Sequence, residues 1–278
     1  MLSSSSSAVN RRKDGAFYDA ALTIAPVYGI DSKISGYVGV QRDISQQKEL
    51  DRLKDEFVSN VSHELRTPIA NVKLYISLLT RGKPEKYEDY LQTLRREAAR
   101  LEKLIEDLLD LSRLDLGKTP VALEPTEVGQ LAAQLITDRT ALAASRDLLI
   151  DYRTTGPLPF AQADPAMLGQ VISNLLTNAI NYTPAGGAIT VTTTPQRRDD
   201  QNWITITVQD TGPGIAKKDF PHLFERFYRG ETGRKSGAPG TGLGLAISAQ
   251  IMNKLGGLIT LDSQLGEGAS FTLWLKSA

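Results

Sequence analysis

Cysteine is absent from the 278 residues, which excludes disulfides, thiolate catalysis and cysteine-ligated metals. Only two histidines occur, His63 and His222, too few for a histidine-rich metal site. No apolar run approaches the roughly 20 residues that a membrane helix needs. The opening MLSSSSSAVNRRKDG lacks the apolar stretch of a signal peptide and reads as a flexible start. Neither charge is in excess: 32 basic residues face 32 acidic ones, so nothing favours a general attraction to nucleic acid or an anionic membrane surface.

What is present is an ordinary globular composition, 41% hydrophobic and 23% charged, in a chain long enough for two or three structural units. From Ala16 to Ile44 two β-rich runs flank the polar GIDSKISG, which predicts a hairpin; alone it is marginal, so it packs on something else or on a second copy of itself. From Gln46 the period changes. Leu50, Leu53, Phe57, Val61 and Leu65 recur every three or four residues, predicting a helix to about Thr80 that Arg81-Gly82-Lys83-Pro84 ends. A second stripe from Tyr87 to Leu111 predicts the returning helix of an antiparallel hairpin. Each stripe is wider than one partner covers, so a dimeric four-helix bundle is expected, with other cover within one chain as the alternative.

LDLGKTPVALEPTE then reads as a linker. Beyond it, helices are predicted near 126–145, 165–182 and 241–255, and strands near 148–153, 188–194, 203–210, 257–263 and 269–275. This is a mixed α/β domain with helices on one sheet face. The Gly- and Lys/Arg-rich stretch from Gly212 to Gly240 is expected to be poorly structured, as a functional lid or a disordered loop.

Four constellations carry chemistry. In Ser62-His63-Glu64-Leu65-Arg66-Thr67-Pro68, a helix places His63, Glu64 and Thr67 on one side. Neutral imidazole is a good nucleophile, and Glu64 can accept the hydrogen bond of the non-attacking nitrogen. Pro68 has no N–H for the Glu64 carbonyl, so a bend is expected there. Next, Asn174, Asn178 and Asn181 share a helix face opposite Val171, Leu175, Leu176 and Ala179. A carboxamide oxygen suits Mg²⁺ that already carries waters and phosphates, whereas a single Asn would read as solvated surface. Third, Asp210-Thr211-Gly212-Pro213-Gly214-Ile215 follows the strand WITITVQD. A strand-end carboxylate can accept from an exocyclic amine, and the glycines let backbone approach a flat ring. Fourth, Gly240-Thr241-Gly242-Leu243-Gly244 opens a helix whose free N–H groups suit phosphate, with neither a P-loop nor a dinucleotide fingerprint. Between the last two, FPHLFERFYRG sets Phe224 and Phe227 beside Arg226 and Arg229, as suits a lid closing over triphosphate; His222 reads as lid or surface.

In this order, SHELRTP resembles the H box of sensor histidine kinases, QVISNLLTNAINYTP the N box, DTGPGI the first glycine box, FERFYRG the F box and GTGLGLAIS the second glycine box. With the helices between them they span about Asp51 to Ala278. GYVGVQRDISQQKEL resembles the end of a PAS sensor domain and its exit into a signalling helix, with the first half of that domain missing.

The resemblance implies four parts: a truncated PAS-like β-hairpin and flexible start over 1–45, a signalling helix and dimerisation/phosphotransfer hairpin over 46–115, a linker over 116–124, and a Bergerat (GHKL-type) ATP-binding α/β sandwich over 125–278. It makes His63 the phosphoacceptor, Glu64 its aid in proton removal, and Thr67 a helper of water in dephosphorylating the partner regulator. Asn178 would ligate Mg²⁺ with Asn174 near the phosphates; Tyr182 would pack by adenine and Asp210 bond its amino group. Gly212 and Gly214 would shape the base pocket. Gly240, Thr241, Gly242, Leu243 and Gly244 would border the phosphates, and Phe227 and Arg229 would serve the nucleotide from the lid. Asn181 departs from the pattern by standing where a Lys is common.

The cofactors implied are ATP and Mg²⁺. The partners implied are a second copy of the chain and a response-regulator receiver domain, without nucleic acid and without a membrane segment in this chain. Cytoplasmic placement follows, with membrane association of the full-length protein left open. Two other readings stand beside this one. An ATPase or chaperone-type Bergerat protein leaves SHELRTP unexplained, and a catalytically silent dimeric scaffold leaves the filled catalytic positions unexplained.

Overall fold

The computed structural model describes residues 4–30, 33–81, 83–117, 119–231, 233 and 240–278. Two compact units divide it, Met1–Glu64 and Leu65–Ala278.

In the first unit, β1 (Ser4–Arg11), β2 (Phe17–Tyr28) and β3 (Ile34–Asp43) form an antiparallel sheet in chain order. The flexible start expected for the Ser run is corrected here: Ser4–Arg11 pairs along β2 from Ser4 opposite Ile24 to Arg11 opposite Phe17. A ladder is made of backbone groups, so a serine strand needs only an edge to pair with and a turn that returns it. Gly15, at φ +92°, supplies that turn. Helix α1 (Ser45–Arg81) begins where the Asp43 side chain accepts the Ser45 N–H at 3.0 Å and the Ser45 hydroxyl accepts the Asp19 N–H at 2.9 Å.

The second unit begins inside α1, which continues through the buried Pro68 without ending. A 3₁₀ turn at Pro84–Lys86 leads into α2 (Tyr87–Asp115). Asn71 donates to Glu97 at 3.0 Å, and the rings of Tyr75 and Tyr90 lie 5.7 Å apart. One index rises as the other falls, as an antiparallel hairpin requires.

The remainder is the α/β unit. Strand β4 (Glu124–Thr126) pairs with β6 (Ala161–Ala163). The main sheet comprises β5 (Leu149–Thr154), β7 (Ala188–Arg198), β8 (Gln201–Asp210), β9 (Leu258–Gln264) and β10 (Gly268–Lys276) in the order β5-β7-β8-β10-β9, with only β5 and β7 parallel. Alternation along each strand sends Ile189, Val191, Ile204, Ile206, Val208, Leu273 and Leu275 inward. They meet Leu168, Ile172, Leu175 and Leu176 of α4 (Pro165–Tyr182), with α3 (Val128–Ala144) and α5 (Gly244–Lys254) beside it. The opposite face carries Thr207 bonded to Thr272 at 2.9 Å and Trp203 edge-on to Trp274 at 6.4 Å. Helix α4 starts at Pro165 behind Asp164, whose carboxylate accepts the N–H groups of Ala166 and Met167, both at 3.1 Å. That cap fixes where the asparagine face begins.

Candidate active site

One half of the chemistry stands on α1. His63 is exposed, Glu64 half-buried beside it and Thr67 exposed one turn on. Placement on the outer side of a continuous helix leaves the imidazole reachable from outside.

The other half is a cavity of about 600 Å³ in the α/β unit. Its wall from α4 carries Asn174, Asn178, Asn181 and Tyr182, the side of the helix opposite its buried Leu175 and Leu176. Asp210, at the end of β8, lies on the same cavity and is 8% exposed. Burial pushes its carboxyl above the ordinary carboxylate range, while the N–H groups of Gly212 and Ala269 pull the other way. Gly212 itself lies behind the wall: its N–H donates to Asp210 Oδ1 at 2.8 Å, and a Cβ there would stand 2.7 Å from that oxygen. Gly214 lines the cavity at φ +69°, and its Cβ would meet the Gln264 carbonyl at 2.1 Å. Apolar walls come from Val208, Ile215, Leu223, Leu245 and Phe271. A carboxylate aimed into an apolar slot suits a flat heterocycle with an exocyclic amine.

At the other end the cavity is bordered by Gly240, Thr241, Gly242 and Gly244, where α5 begins. The first turn of this eleven-residue helix directs N–H groups without intrahelical acceptors toward this end. Asn174 reaches toward this start, its amide 3.4 Å from the Gly244 carbonyl and 3.5 Å from Ser248 Oγ. Leu243 is fully buried in the core and Phe227 is not part of the cavity wall, so neither side chain is brought to the ligand space. Phe227 instead supports the glycines. Its N–H donates to the Gly242 carbonyl at 2.9 Å, its φ is +62°, and a Cβ on Gly242 (φ +72°) would lie 2.8 Å from the Phe227 backbone.

The expected featureless stretch from Gly212 to Gly240 is corrected in its described part. Lys217–His222 forms a 3₁₀ turn, and the buried Asp219 accepts from the Tyr228 hydroxyl at 2.8 Å and the Glu231 N–H at 3.3 Å. A buried carboxylate with two donors organises a loop that composition alone marks as loose. Arg229 lines the cavity, donating to the carbonyls of Gly233 at 2.8 Å and Gly240 at 3.4 Å. The rest of the expected lid, residues 232 and 234–239, lies outside the described residues. His222 is exposed and 2.9 Å from Glu225, away from the cavity wall.

Sequence reasoning missed the contribution of α2. Arg96, Ala99, Arg100, Lys103 and Asp107 line the same cavity, and so does Arg146, just past the end of α3. The only available signal was a repeat of basic residues at helical spacing, which ordinarily marks solvated surface.

Among the described residues no group of three or more His, Asp or Glu side chains could hold a metal. No helix among the described residues is long and apolar enough to cross a membrane.

Comparison with known proteins bears on both halves. Residues 53–117 match the His Kinase A (phospho-acceptor) domain, and residues 163–278 match the histidine kinase-, DNA gyrase B- and HSP90-like ATPase family. Drug sensory protein A of Synechocystis is 36% identical over 248 residues, covering 86% of this chain and 37% of that protein. Sensor histidine kinase WalK of Bacillus subtilis is 33% identical over 246 residues, covering 87% of this chain and 40% of that protein. The chain thus spans about two fifths of the length of these relatives. Among solved structures, full-length ShkA in complex with AMPPNP is 28% identical with a TM-score of 0.59, covering 80% of this chain and 46% of that one.

Proposed function

Since the chain belongs to the sensor histidine kinases, we propose that it binds ATP, transfers the γ-phosphoryl group to its own His63 and passes that group to an aspartate of a response-regulator receiver domain. The observation that carries this is one chain holding both an exposed imidazole beside a carboxylate and a cavity with a buried Asp210 at one end and a glycine-bordered helix start at the other.

Asp210 accepts the hydrogen bond of the adenine amine, and Tyr182 with the apolar walls takes the ring. Gly214 permits the close backbone approach that a side chain would block. Gly240, Thr241, Gly242 and Gly244 border the phosphates. Asn178 would hold Mg²⁺, which when bound screens the phosphate charge; Asn174 sits toward the phosphates. Leu243, Gly212 and Phe227 act on the wall from behind. Arg229 keeps the glycine segment in shape. In the transfer step a nitrogen of the His63 ring forms a bond to the γ-phosphorus as the bond to the ADP oxygen breaks. Glu64 accepts the hydrogen bond of the other ring nitrogen and stabilises the positive charge that develops.

Ile69, Leu74, Ile76, Leu91, Ile105 and Leu109 are exposed on the helical hairpin, which supports a homodimeric four-helix bundle. We further read residues 1–45 as PAS-like, 46–115 as the signalling helix and phosphotransfer part, 116–124 as linker and 125–278 as the catalytic part. Exposed Thr67, one turn from His63, supports a second activity, removal of phosphate from the regulator by water.

Incubation with labelled ATP and Mg²⁺ gives an acid-labile, alkali-stable phosphoprotein that is lost in His63→Ala. Stable labelling of that variant, or ATP turnover without any phosphoprotein, overturns the assignment.

A further inference from the structure

The cavity has a wall that the ATP-binding unit does not supply. Arg96, Ala99, Arg100, Lys103 and Asp107 of α2 lie at helical offsets of three, four, seven and eleven, so they form one stripe. Three of them are cations, and the small Ala99 between them keeps the space open.

The stripe is held in register against the phosphate end. Thr241 donates its hydroxyl to Asp107 Oδ2 at 2.7 Å, and Asp107 is only 2% exposed. Lys103 Nζ stands 2.9 Å from Asp107 Oδ1, one turn up the helix, with its side chain about half exposed. Further along, Asp110 accepts from Gln170 at 2.7 Å, while Asp115 accepts from Arg226 at 2.6 Å and Gln250 at 3.0 Å. One helix face therefore grips the ATP-binding unit at Asp107, Asp110 and Asp115 and presents Lys103, Arg100 and Arg96 beyond it.

Charge decides what those cations do. Among the described residues, the cavity's own cations outside α2 are Arg146 and Arg229, balanced by Asp210 and Asp219. Both arginines also donate to backbone carbonyls, Arg146 to Ile180 at 3.1 Å and Arg229 to Gly233 and Gly240. Asn181 on the wall brings no charge. A triphosphate carries several negative charges, and the surplus of positive charge around this space comes from α2.

We propose that Arg96, Arg100 and Lys103 of α2 form a phosphate-binding subsite for the nucleotide, so that the helical hairpin is part of the nucleotide site whenever α2 is docked. The subsite reads polyphosphate length, since its stripe is tied through Asp107 to Thr241 of the glycine border rather than to Asp210. This rests on the nucleotide reading above.

Titration calorimetry of the intact chain with a non-hydrolysable ATP analogue, ADP and adenosine tests it, comparing the parent with Arg96→Gln/Arg100→Gln and with Lys103→Gln. The double variant is expected to lose roughly ten- to a hundred-fold in affinity for the triphosphate, less for ADP, and nothing for adenosine, with a shallower salt dependence. Lys103→Gln is expected to show a smaller loss of the same pattern. Triphosphate affinity within two-fold of the parent in both variants overturns the subsite, and so does an equal loss for adenosine. A parent chain that binds none of the three ligands overturns the nucleotide reading and the subsite together. Binding by the parent with indifferent variants overturns the subsite alone.

Discussion

Thr241 and Asp107, separated by 134 positions in the chain, are joined by a 2.7 Å hydrogen bond from the threonine hydroxyl to a carboxylate that is almost wholly out of water. The first residue belongs to the glycine segment that opens α5, the second to the helix that returns from the one carrying His63, and both line the same cavity. Any rearrangement of Thr241 must therefore release or re-form its bond to α2.

Release of α2 is expected to raise kinase activity. Asp115 holds Arg226 and Gln250 at the exposed end of the same face. Asp115→Ala removes both bonds at a partly exposed site, so folding stability should change by less than about 1 kcal/mol. The initial rate of His63 labelling should rise about three- to five-fold, since a docked α2 opposes travel of the ATP-binding unit. An unchanged or lower rate would show that these contacts do not restrain the reaction.

The role proposed for Glu64 runs through the ring of His63 rather than the nucleotide. Glu64→Gln keeps the shape but accepts a proton poorly, and should lower the labelling rate roughly a hundred-fold. Nucleotide affinity measured by calorimetry should stay at the parental value. A matching loss of affinity would place the defect in binding instead.

Asp210 should reveal itself through pH. Its folded carboxyl titrates above the unfolded value of 3.8 because burial disfavours the ionised form. The folded state therefore holds that proton more tightly, and this contribution to stability is present at low pH and lost as pH rises through the folded value. Asp210→Asn abolishes it. Relative to the parent, the variant should be most favoured at neutral pH, and its advantage in Tm should narrow as pH falls toward 4. Adenine-nucleotide affinity should drop at least about ten-fold, because a carboxamide is the weaker acceptor.

Two glycines of the same site should behave oppositely. Gly214→Ala forces a Cβ to within 2.1 Å of the Gln264 carbonyl at φ +69°, so the backbone must shift. A destabilisation of about 2–4 kcal/mol is expected in denaturant unfolding. At Gly240 a Cβ meets nothing within 4 Å, and Gly240→Ala should leave stability within about 0.5 kcal/mol. Equal effects at the two positions would contradict the packing described.

Periodicity made most of the fold legible. The stripes of α1 and α2, the capped start of α4 at Pro165 and the β9–β10 hairpin follow from spacing and turn residues. The asparagines of α4 and the strand-end Asp210 also reach the cavity, because a helix face and a strand terminus are positions that local sequence fixes. Long-range partners were not legible. β1 was hidden because backbone pairing leaves no side-chain pattern in a serine run. Asp219 looks like any loop acid until Tyr228 and Glu231 are seen to converge on it. The cations of α2 sit on a helix whose apolar stripe dominates its pattern, and nothing local marks which unit they face. Leu243 shows the reverse failing: a residue inside a glycine motif whose side chain serves the core.

Phe227 and Gly242 press their main chains together, both in the left-handed region and joined by a 2.9 Å hydrogen bond. Neither can swing independently while that contact lasts. The segment around Phe227 and the glycine segment that opens α5 are thus fastened at one point, and a shift of either main chain carries the other with it.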